Sequence, residues 1–161
     1  MADTKKILLG VCGGIAAYKT AMVVSRLVQD GHDVQVVMTE SATKFVGKAT
    51  FQALTGKSVI TCTFDTAFPL GAHIELAREY DLLCIAPATA NMIGKMAHGI
   101  SEELMSTLYL CFQGNVLLAP AMNCEMWEAP AVQRNVNRLE QDGVRMIGPN
   151  EGWLSCRVQG R

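Results

Sequence analysis

The stretch that decides the fold is residues 5–38, KKILLGVCGGIAAYKTAMVVSRLVQDGHDVQVVM. It begins with a short run of leucine and β-branched residues, which predicts a buried strand over 5–11. A Gly-Gly pair follows this strand, and residues 15–30 then carry apolar side chains at helical spacing, ending at Gly31. Residues 33–38 predict a second strand. This order of elements predicts a βαβ unit, in which the two strands are parallel.

The rest of the chain repeats the alternation of strand and helix. Short apolar runs predict strands at residues 59–63, 81–86, 116–119 and 144–147. Apolar residues at helical spacing predict helices at residues 41–55 (one or two short helices), 73–80, 89–98, 102–111 and 131–142. Pro87 and Pro120 are expected to end two of the strands, because proline has no backbone donor.

These elements predict an α/β protein with a doubly wound, mostly parallel sheet and helices on both faces, a Rossmann-like arrangement. We expect residues 1–161 to form a single domain. Residues 148–161 have no regular pattern and predict an irregular tail or flap.

The composition excludes several kinds of partner. Half of the residues are hydrophobic, only 18% are charged, and the formal charge is −1. A nearly neutral chain offers no electrostatic basis for binding nucleic acid or an anionic membrane. No apolar run approaches membrane-spanning length, and the N-terminal run is too short for a signal peptide, so we expect a cytoplasmic location. The six cysteines contain no Cys-x-x-Cys pair, so neither a zinc site nor a disulfide framework is predicted.

Glycines and small polar residues follow three of the predicted strands. Gly13 and Gly14 follow the first, Thr39 and Ser41 follow the second, and Pro-Ala-Thr-Ala-Asn at 87–91 follows the third. The carboxyl ends of parallel strands meet at one edge, where doubly wound sheets bind ligands. Glycines let backbone amides approach an anion, and the next helix adds its positive end. The set predicts a site for a phosphorylated cofactor. A tight βα turn without a ligand would have the same glycines.

The glycine spacing argues against two common cofactors. It matches neither the Gly-x-Gly-x-x-Gly pattern of dinucleotide sites nor the Gly-Lys-Ser/Thr pattern of ATP sites.

A longer motif, Ala-Pro-Ala-Met-Asn-Cys-Glu-Met-Trp, covers residues 119–127 at the end of the fourth strand. Asn123 supplies a neutral donor and acceptor, whereas Met122, Met126 and Trp127 supply an apolar wall. This combination suits a polar group held in a mostly apolar pocket. A proline-stopped loop whose Met and Trp side chains belong to the core would explain the same residues.

Two residues are candidates for proton transfer. His73 begins a predicted helix, and imidazole transfers protons near neutral pH. Cys156 lies in the tail, where a thiol on a segment that folds over a site delivers a proton or acts as a redox group. A helix-start histidine and an unreactive tail cysteine are the structural alternatives.

Three motifs then point to a known family. Gly-Gly-Ile-Ala-Ala-Tyr-Lys at 13–19, Pro-Ala-Thr-Ala-Asn at 87–91 and Pro-Ala-Met-Asn-x-x-Met-Trp at 120–127 resemble those of the homo-oligomeric flavin-containing cysteine decarboxylases. Their order and spacing match over essentially the whole chain. The resemblance is closest to members that act on 4′-phosphopantothenoylcysteine in coenzyme A biosynthesis, in particular the decarboxylase half of bifunctional bacterial enzymes. The ligase part of those enzymes has no counterpart in these residues.

The resemblance implies an FMN cofactor, a small phosphorylated cysteine conjugate as substrate, and self-association as a trimer or dodecamer. The residues implied to bind FMN lie on the three loops, at Gly13, Gly14, Ile15, Thr39, Ser41, Ala88, Thr89, Ala90 and Asn91.

The resemblance implies a reaction in which the cysteine thiol of the substrate is first oxidised to a thioaldehyde. The thioaldehyde takes up the electron pair that is left when CO₂ departs, and the resulting enethiol is then reduced. Asn123 matches the residue that holds the substrate carboxylate, with Met122 and Met126 beside it. His73 matches an acid–base histidine, and Cys156 matches the cysteine that protonates the enethiol. The presence of Cys156 favours the coenzyme A pathway reaction, which ends in a saturated thiol. Arg157, however, stands where the family pattern usually has glycine.

Two other functions stay open at this point. One is oxidative decarboxylation of a peptide C-terminal cysteine, as in lantibiotic biosynthesis. The other is a non-catalytic FMN-binding regulator, which would not require His73, Asn123 and Cys156 together. A flavin prenyltransferase is disfavoured by the intact motif at 120–127.

Overall fold

A computed structural model describes residues 4–150 and the backbone of residues 152–153 and 159–160. Five parallel strands form one sheet in the order β2-β1-β3-β4-β5. Their bounds are Lys6–Val11 (β1), Asp33–Met38 (β2), Leu82–Ala88 (β3), Asn115–Pro120 (β4) and Arg145–Met146 (β5). The prediction of a parallel α/β sheet is confirmed.

The helices lie between the strands in the chain. Their bounds are Ala17–Gln29 (α1), Lys48–Thr55 (α2), Ala72–Glu79 (α3), Ala90–His98 (α4), Leu104–Cys111 (α5), Cys124–Glu128 (α6) and Pro130–Gln141 (α7), with a 3₁₀ turn at Ser41–Lys44. None of the helices within residues 4–150 combines the length and apolar character that a membrane span requires.

The strand order places helices on both faces of the sheet. The chain moves from β1 to β2 in one direction, and then crosses back over β1 to β3 and continues to β5. Because crossovers are right-handed, this reversal puts the first connection on one face and the later ones on the other. Accordingly, α1 and α2 pack in one core, which includes Phe51, whereas α3, α4, α5 and α7 pack in a second core, which includes Leu108. The doubly wound prediction is therefore confirmed.

Pro87 does not end β3, which corrects the sequence prediction for that strand, whereas Pro120 is the last residue of β4, as predicted. Pro87 lies inside β3, where its carbonyl accepts a hydrogen bond of 3.2 Å from the backbone N–H of Cys12. Pro120 closes β4, and the next residue, Ala121, donates a backbone hydrogen bond of 3.0 Å to Ala88. Proline has no backbone N–H to donate, but its carbonyl still accepts a hydrogen bond and the residues beside it still donate. Pairing therefore continues past the proline. The register of β3 with β4 shifts between Ile85 and Ala88.

Three other segments differ from the sequence prediction. Residues 59–63 were predicted as a strand, but Ile60 forms only an isolated bridge with Val37 at the end of β2. Helix α6 was not predicted, and it begins within the motif at 119–127 and ends at Glu128. Within the tail, Gly152–Trp153 and Gln159–Gly160 form a short antiparallel pair.

Candidate active site

The reversal of strand order opens a crevice at the carboxyl ends of β1 and β3. These neighbouring strands lead into α1 and α4, which lie on opposite faces of the sheet. The loops after β1 and β3 therefore diverge above the sheet, and the space between them is where such folds hold their ligands.

The turn from β1 to α1 presents unused backbone donors to this crevice. Among the described residues, none accepts a hydrogen bond from the backbone N–H groups of residues 13–16, and the first intrahelical donor is Ala17, which binds the Gly14 carbonyl at 2.9 Å. Consecutive free N–H groups at the start of a helix form an anion site, because the helix dipole adds positive potential there.

Gly13 is required where this turn meets the loop after β2. A Cβ at Gly13 would lie 2.8 Å from the Ser41 carbonyl carbon and would overlap the Ser41 side chain, so only glycine permits the contact. At Gly14 a Cβ would meet only the Thr89 methyl group, at 3.8 Å. The two glycines therefore differ in role, since the first permits packing and the second leaves space beside the free amides.

The predicted hydroxyl pair after β2 divides into a buried anchor and an exposed group. Thr39 is buried, and its Oγ1 accepts a hydrogen bond of 3.2 Å from the backbone N–H of Ala42. The hydroxyls of Thr39 and Ser41 share a hydrogen bond of 3.1 Å. Ser41 is exposed, so its hydroxyl is the one that faces the crevice side of the loop.

The loop after β3 shows the same division. Thr89 is the N-cap of α4, and its hydroxyl accepts a hydrogen bond of 3.3 Å from the backbone N–H of Met92. Ala88 is buried and Ala90 is half-buried, whereas Asn91 is exposed and presents its amide to solvent. Thr89 and Ala88 therefore shape the loop, and Asn91 supplies its free polar group.

A neutral thiol lies beneath this loop. Cys12 is buried, and that burial raises the pKa of its thiol to about 12, although hydrogen bonds from the backbone and side chain of Thr89 act in the opposite direction. Cys12 thus stays uncharged at neutral pH and fills space below the crevice.

Asn123 lies at the carboxyl end of β4, next to the loop after β3. It is the N-cap of α6, and its Oδ1 accepts a hydrogen bond of 2.9 Å from the backbone N–H of Met126. This bond fixes the side chain and leaves its exposed amide N–H₂ without a described acceptor. Met122 and Trp127 pack against the larger core, whereas Met126 is half exposed. The apolar wall predicted from the sequence is therefore partly core.

His73 is brought to the same edge of the sheet by helix direction. Helix α3 leads into the start of β3, so it runs antiparallel to the strand and its first turn lies at the carboxyl edge. His73 Nδ1 is buried and has no hydrogen-bond partner among the described residues. The imidazole packs over Gly71, which has a φ of +97° that disfavours other residues.

Lys95 is held in ion pairs, and Cys156 lies outside the residues that the structure describes. Lys95 forms ion pairs of 2.5 Å with both Glu102 and Glu103, at the connection between α4 and α5. Burial lowers the pKa of Lys95, but its hydrogen bonds to the two carboxylates outweigh this effect and raise it. Cys156 lies outside the described residues, so its role stays a prediction.

The described groups fit FMN. The free amides of residues 13–16 suit its phosphate, and the exposed polar groups of Ser41 and Asn91 are neutral donors for the ribityl chain or ring. The unpaired Nδ1 of His73 is a buried polar atom that a bound molecule would satisfy. In the described part of the chain, no cluster of His, Cys, Asp and Glu has the arrangement of a metal site.

Sequence reasoning missed two parts of this site. It predicted an anion site at the Gly-Gly turn but did not show which amides of residues 13–16 stay free, because a Gly-Gly pair does not reveal which donors the helix leaves unused. It also read Asn123 only as a loop residue. An Asn followed by several residues without glycine or proline is typical of a helix start, and this pattern could have identified Asn123 as an N-cap.

Comparison with known proteins agrees with this geometry. The profile of the Flavoprotein family matches residues 1–161. The coenzyme A biosynthesis bifunctional protein CoaBC of Bacillus subtilis is 47% identical over 162 residues, covering 100% of this chain and 40% of that protein. The CoaBC protein of Mycolicibacterium smegmatis is 43% identical, covering 96% of this chain and 37% of that protein. The chain thus spans about two fifths of the length of these curated relatives.

Solved structures show the same fold. The FMN-dependent cysteine decarboxylase SpaF superposes with a TM-score of 0.88 at 37% identity, covering 92% of this chain and 86% of that one. A variant of PPC decarboxylase complexed with pantothenoylaminoethenethiol superposes with a TM-score of 0.85 at 27% identity, covering 98% of this chain and 89% of that one.

The two adjacent glycines allow a matched test of the turn. We expect Gly13→Ala to lower the thermal unfolding midpoint of the ligand-free chain by about 3–10 °C, because the added Cβ overlaps Ser41. Gly14→Ala serves as the control and should shift the midpoint by less than about 2 °C, because its Cβ would make only an ordinary van der Waals contact of 3.8 Å with the Thr89 methyl group. Scanning calorimetry measures both. Equal midpoints for the two variants would contradict the assigned roles.

Proposed function

The chain belongs to the Flavoprotein family, and on that premise we propose that it is an FMN-dependent decarboxylase that converts 4′-phosphopantothenoylcysteine to 4′-phosphopantetheine in coenzyme A biosynthesis. The observation that carries the proposal is that Asn123 holds a free amide N–H₂ at the sheet edge where residues 13–16 hold free backbone amides. The relationship to CoaBC over the whole chain supports the choice of substrate.

The cofactor is held by backbone more than by charge. The amides of Gly13, Gly14 and Ile15 bind the phosphate, and Ser41 and Asn91 bind the rest of the molecule, on a frame set by Thr39 and residues 88–90. When bound, FMN supplies the two-electron oxidation of the substrate thiol and the reduction that follows CO₂ loss.

Asn123 orients the substrate carboxylate. Its Oδ1 is occupied by the cap bond, so the amide presents donors to the carboxylate in a fixed direction. A neutral amide is better suited than a cation, because a strong ion pair would stabilise the carboxylate that must be lost. Met122 and Met126 limit the water around this group.

His73 and Cys156 handle the protons. The unpaired Nδ1 of His73 accepts the proton that leaves the substrate when its thiol is oxidised, at the edge where Asn123 holds the carboxylate. Cys156 donates the proton that completes the saturated thiol.

We also propose that the chain works as a homo-oligomer, a trimer or a dodecamer. Ile15, Tyr18 and Met22 form a stripe along one side of α1 and are 55%, 56% and 73% exposed. On the same face of the sheet α1 contacts β1, β2 and β3, and the side chain of Leu117 on β4 is half-buried there. A second copy would cover this apolar area.

A second candidate function is decarboxylation of a peptide C-terminal cysteine. SpaF, a cysteine decarboxylase, is more similar in sequence to this chain than the PPC decarboxylase structure is, so the part of the substrate beyond the cysteine stays open.

Product analysis distinguishes the candidates. We expect the FMN-loaded chain to convert 4′-phosphopantothenoylcysteine to a product lighter by CO₂ alone, measured by mass spectrometry. A product that has also lost two hydrogens would show that the reaction stops at the enethiol, against the proposed role of Cys156. No conversion, together with decarboxylation of a peptide ending in cysteine, would favour the second candidate.

Asn123→Asp isolates the contribution of the amide donor. Aspartate keeps the cap on α6 because its carboxylate also accepts from Met126, so we expect the fold and FMN affinity to be retained. Turnover should fall by about a hundredfold or more, since a hydrogen bond to the substrate carboxylate is replaced by repulsion. Asn115→Asp, at the exposed opposite end of β4, is the matched control and should leave turnover within about twofold. Normal turnover of Asn123→Asp would contradict the assignment.

A further inference from the structure

A buried hydroxyl on α1 contacts the end of β3. Thr20 is 3% exposed and lies on the side of α1 that faces the sheet, together with Ala17 and Val24. Its Oγ1 donates a hydrogen bond of 2.7 Å to the backbone carbonyl of Ala86. A threonine at a position where packing alone would favour an apolar residue indicates that the hydroxyl itself has a role.

The acceptor lies where the regular ladder of β3 ends. The last regular pair of β1 with β3 is Gly10 with Ile85, and the register with β4 shifts after Ile85. Pro87 has no backbone N–H to hold the strand in place. The Ala86 carbonyl is therefore held by a side chain at the point where strand pairing becomes irregular.

Hydrogen bonds from three different parts of the chain meet this end of β3. Cys12 donates its backbone N–H to Pro87 at 3.2 Å, and Ala121 donates to Ala88 at 3.0 Å. The third is the hydroxyl of Thr20. Residues 89–91, which carry the cap and the exposed amide of the candidate site, follow directly.

We propose that Thr20 is a positioning residue for the cofactor. Thr20 lies one turn into α1, the helix that follows the free amides of residues 13–16. Its hydrogen bond therefore connects the phosphate end of the site to the end of β3 and the loop after it. Loss of this bond lets the two halves of the site move relative to each other, and the loop at 89–91 no longer has one fixed position. The proposal rests on the FMN site of the proposed function.

The test compares Thr20→Val with Thr20→Ser. Valine keeps the shape and removes the hydroxyl, whereas serine keeps the hydroxyl. In fluorescence titrations of the full chain with FMN, we expect Thr20→Val to weaken binding about fivefold or more and Thr20→Ser to stay within about twofold of the wild type. Thr107→Val is the matched control, because Thr107 also donates to a backbone carbonyl, at 2.9 Å to Glu103, but lies on α5 away from the crevice. It should bind FMN within about twofold of the wild type.

A second readout does not depend on FMN. In hydrogen–deuterium exchange of the ligand-free chain, peptides that contain residues 88–93 should exchange faster in Thr20→Val than in the wild type or in Thr20→Ser.

If Thr20→Val fails to fold, Thr20→Ala provides the same loss of hydroxyl with less bulk. Unchanged exchange together with unchanged FMN affinity would overturn the positioning role. So would equal weakening by Thr20→Val and Thr107→Val, which would indicate a general loss of stability. If the wild type itself bound no FMN, the proposed function would fail, and the exchange readout would still decide whether Thr20 fixes this loop.

Discussion

The whole candidate site depends on the pairing of β1 with both β2 and β3. This central position makes the chain reverse direction across the sheet, and the reversal separates the helices that follow β1 and β3 onto opposite faces. The loops between them are left open at the carboxyl edge, with free amides on one side and Asn91 on the other. Helix α3 runs antiparallel to β3, so its first residues, including His73, reach the same edge. The topology of the sheet therefore brings the described groups of the proposed mechanism to one edge.

The site is built from neutral groups. Its donors are backbone amides, hydroxyls and carboxamides, and Lys95, on the helix that follows β3, is paired with Glu102 and Glu103. Burial keeps the thiol of Cys12 uncharged beneath the loop. A neutral environment suits a reaction in which a substrate carboxylate has to lose its charge as CO₂, because fixed positive charge would stabilise the starting state. The helix dipoles supply the positive potential that the cofactor phosphate requires.

Much of this arrangement was predictable from residue patterns, and the failures have physical reasons. Strands β1 and β2 and helix α4 were predicted because their apolar spacing and their glycine or threonine boundaries are local signals. The strand end at Pro87 was misjudged, because carbonyl acceptance and a register shift depend on the neighbouring strand. Thr20 was overlooked because its acceptor, Ala86, lies far away in the sequence. The geometry around Asn123 required the structure, since a cap bond decides which of its atoms stays free.

The most direct test of this account is a crystal structure of the chain with FMN. The account predicts that the phosphate binds the backbone amides of residues 13–16 and that the rest of the cofactor lies between the loops after β2 and β3. Density for FMN at the amino edge of the sheet, for example in the groove between α3 and α5 lined by Arg78 and Gln113, would contradict it.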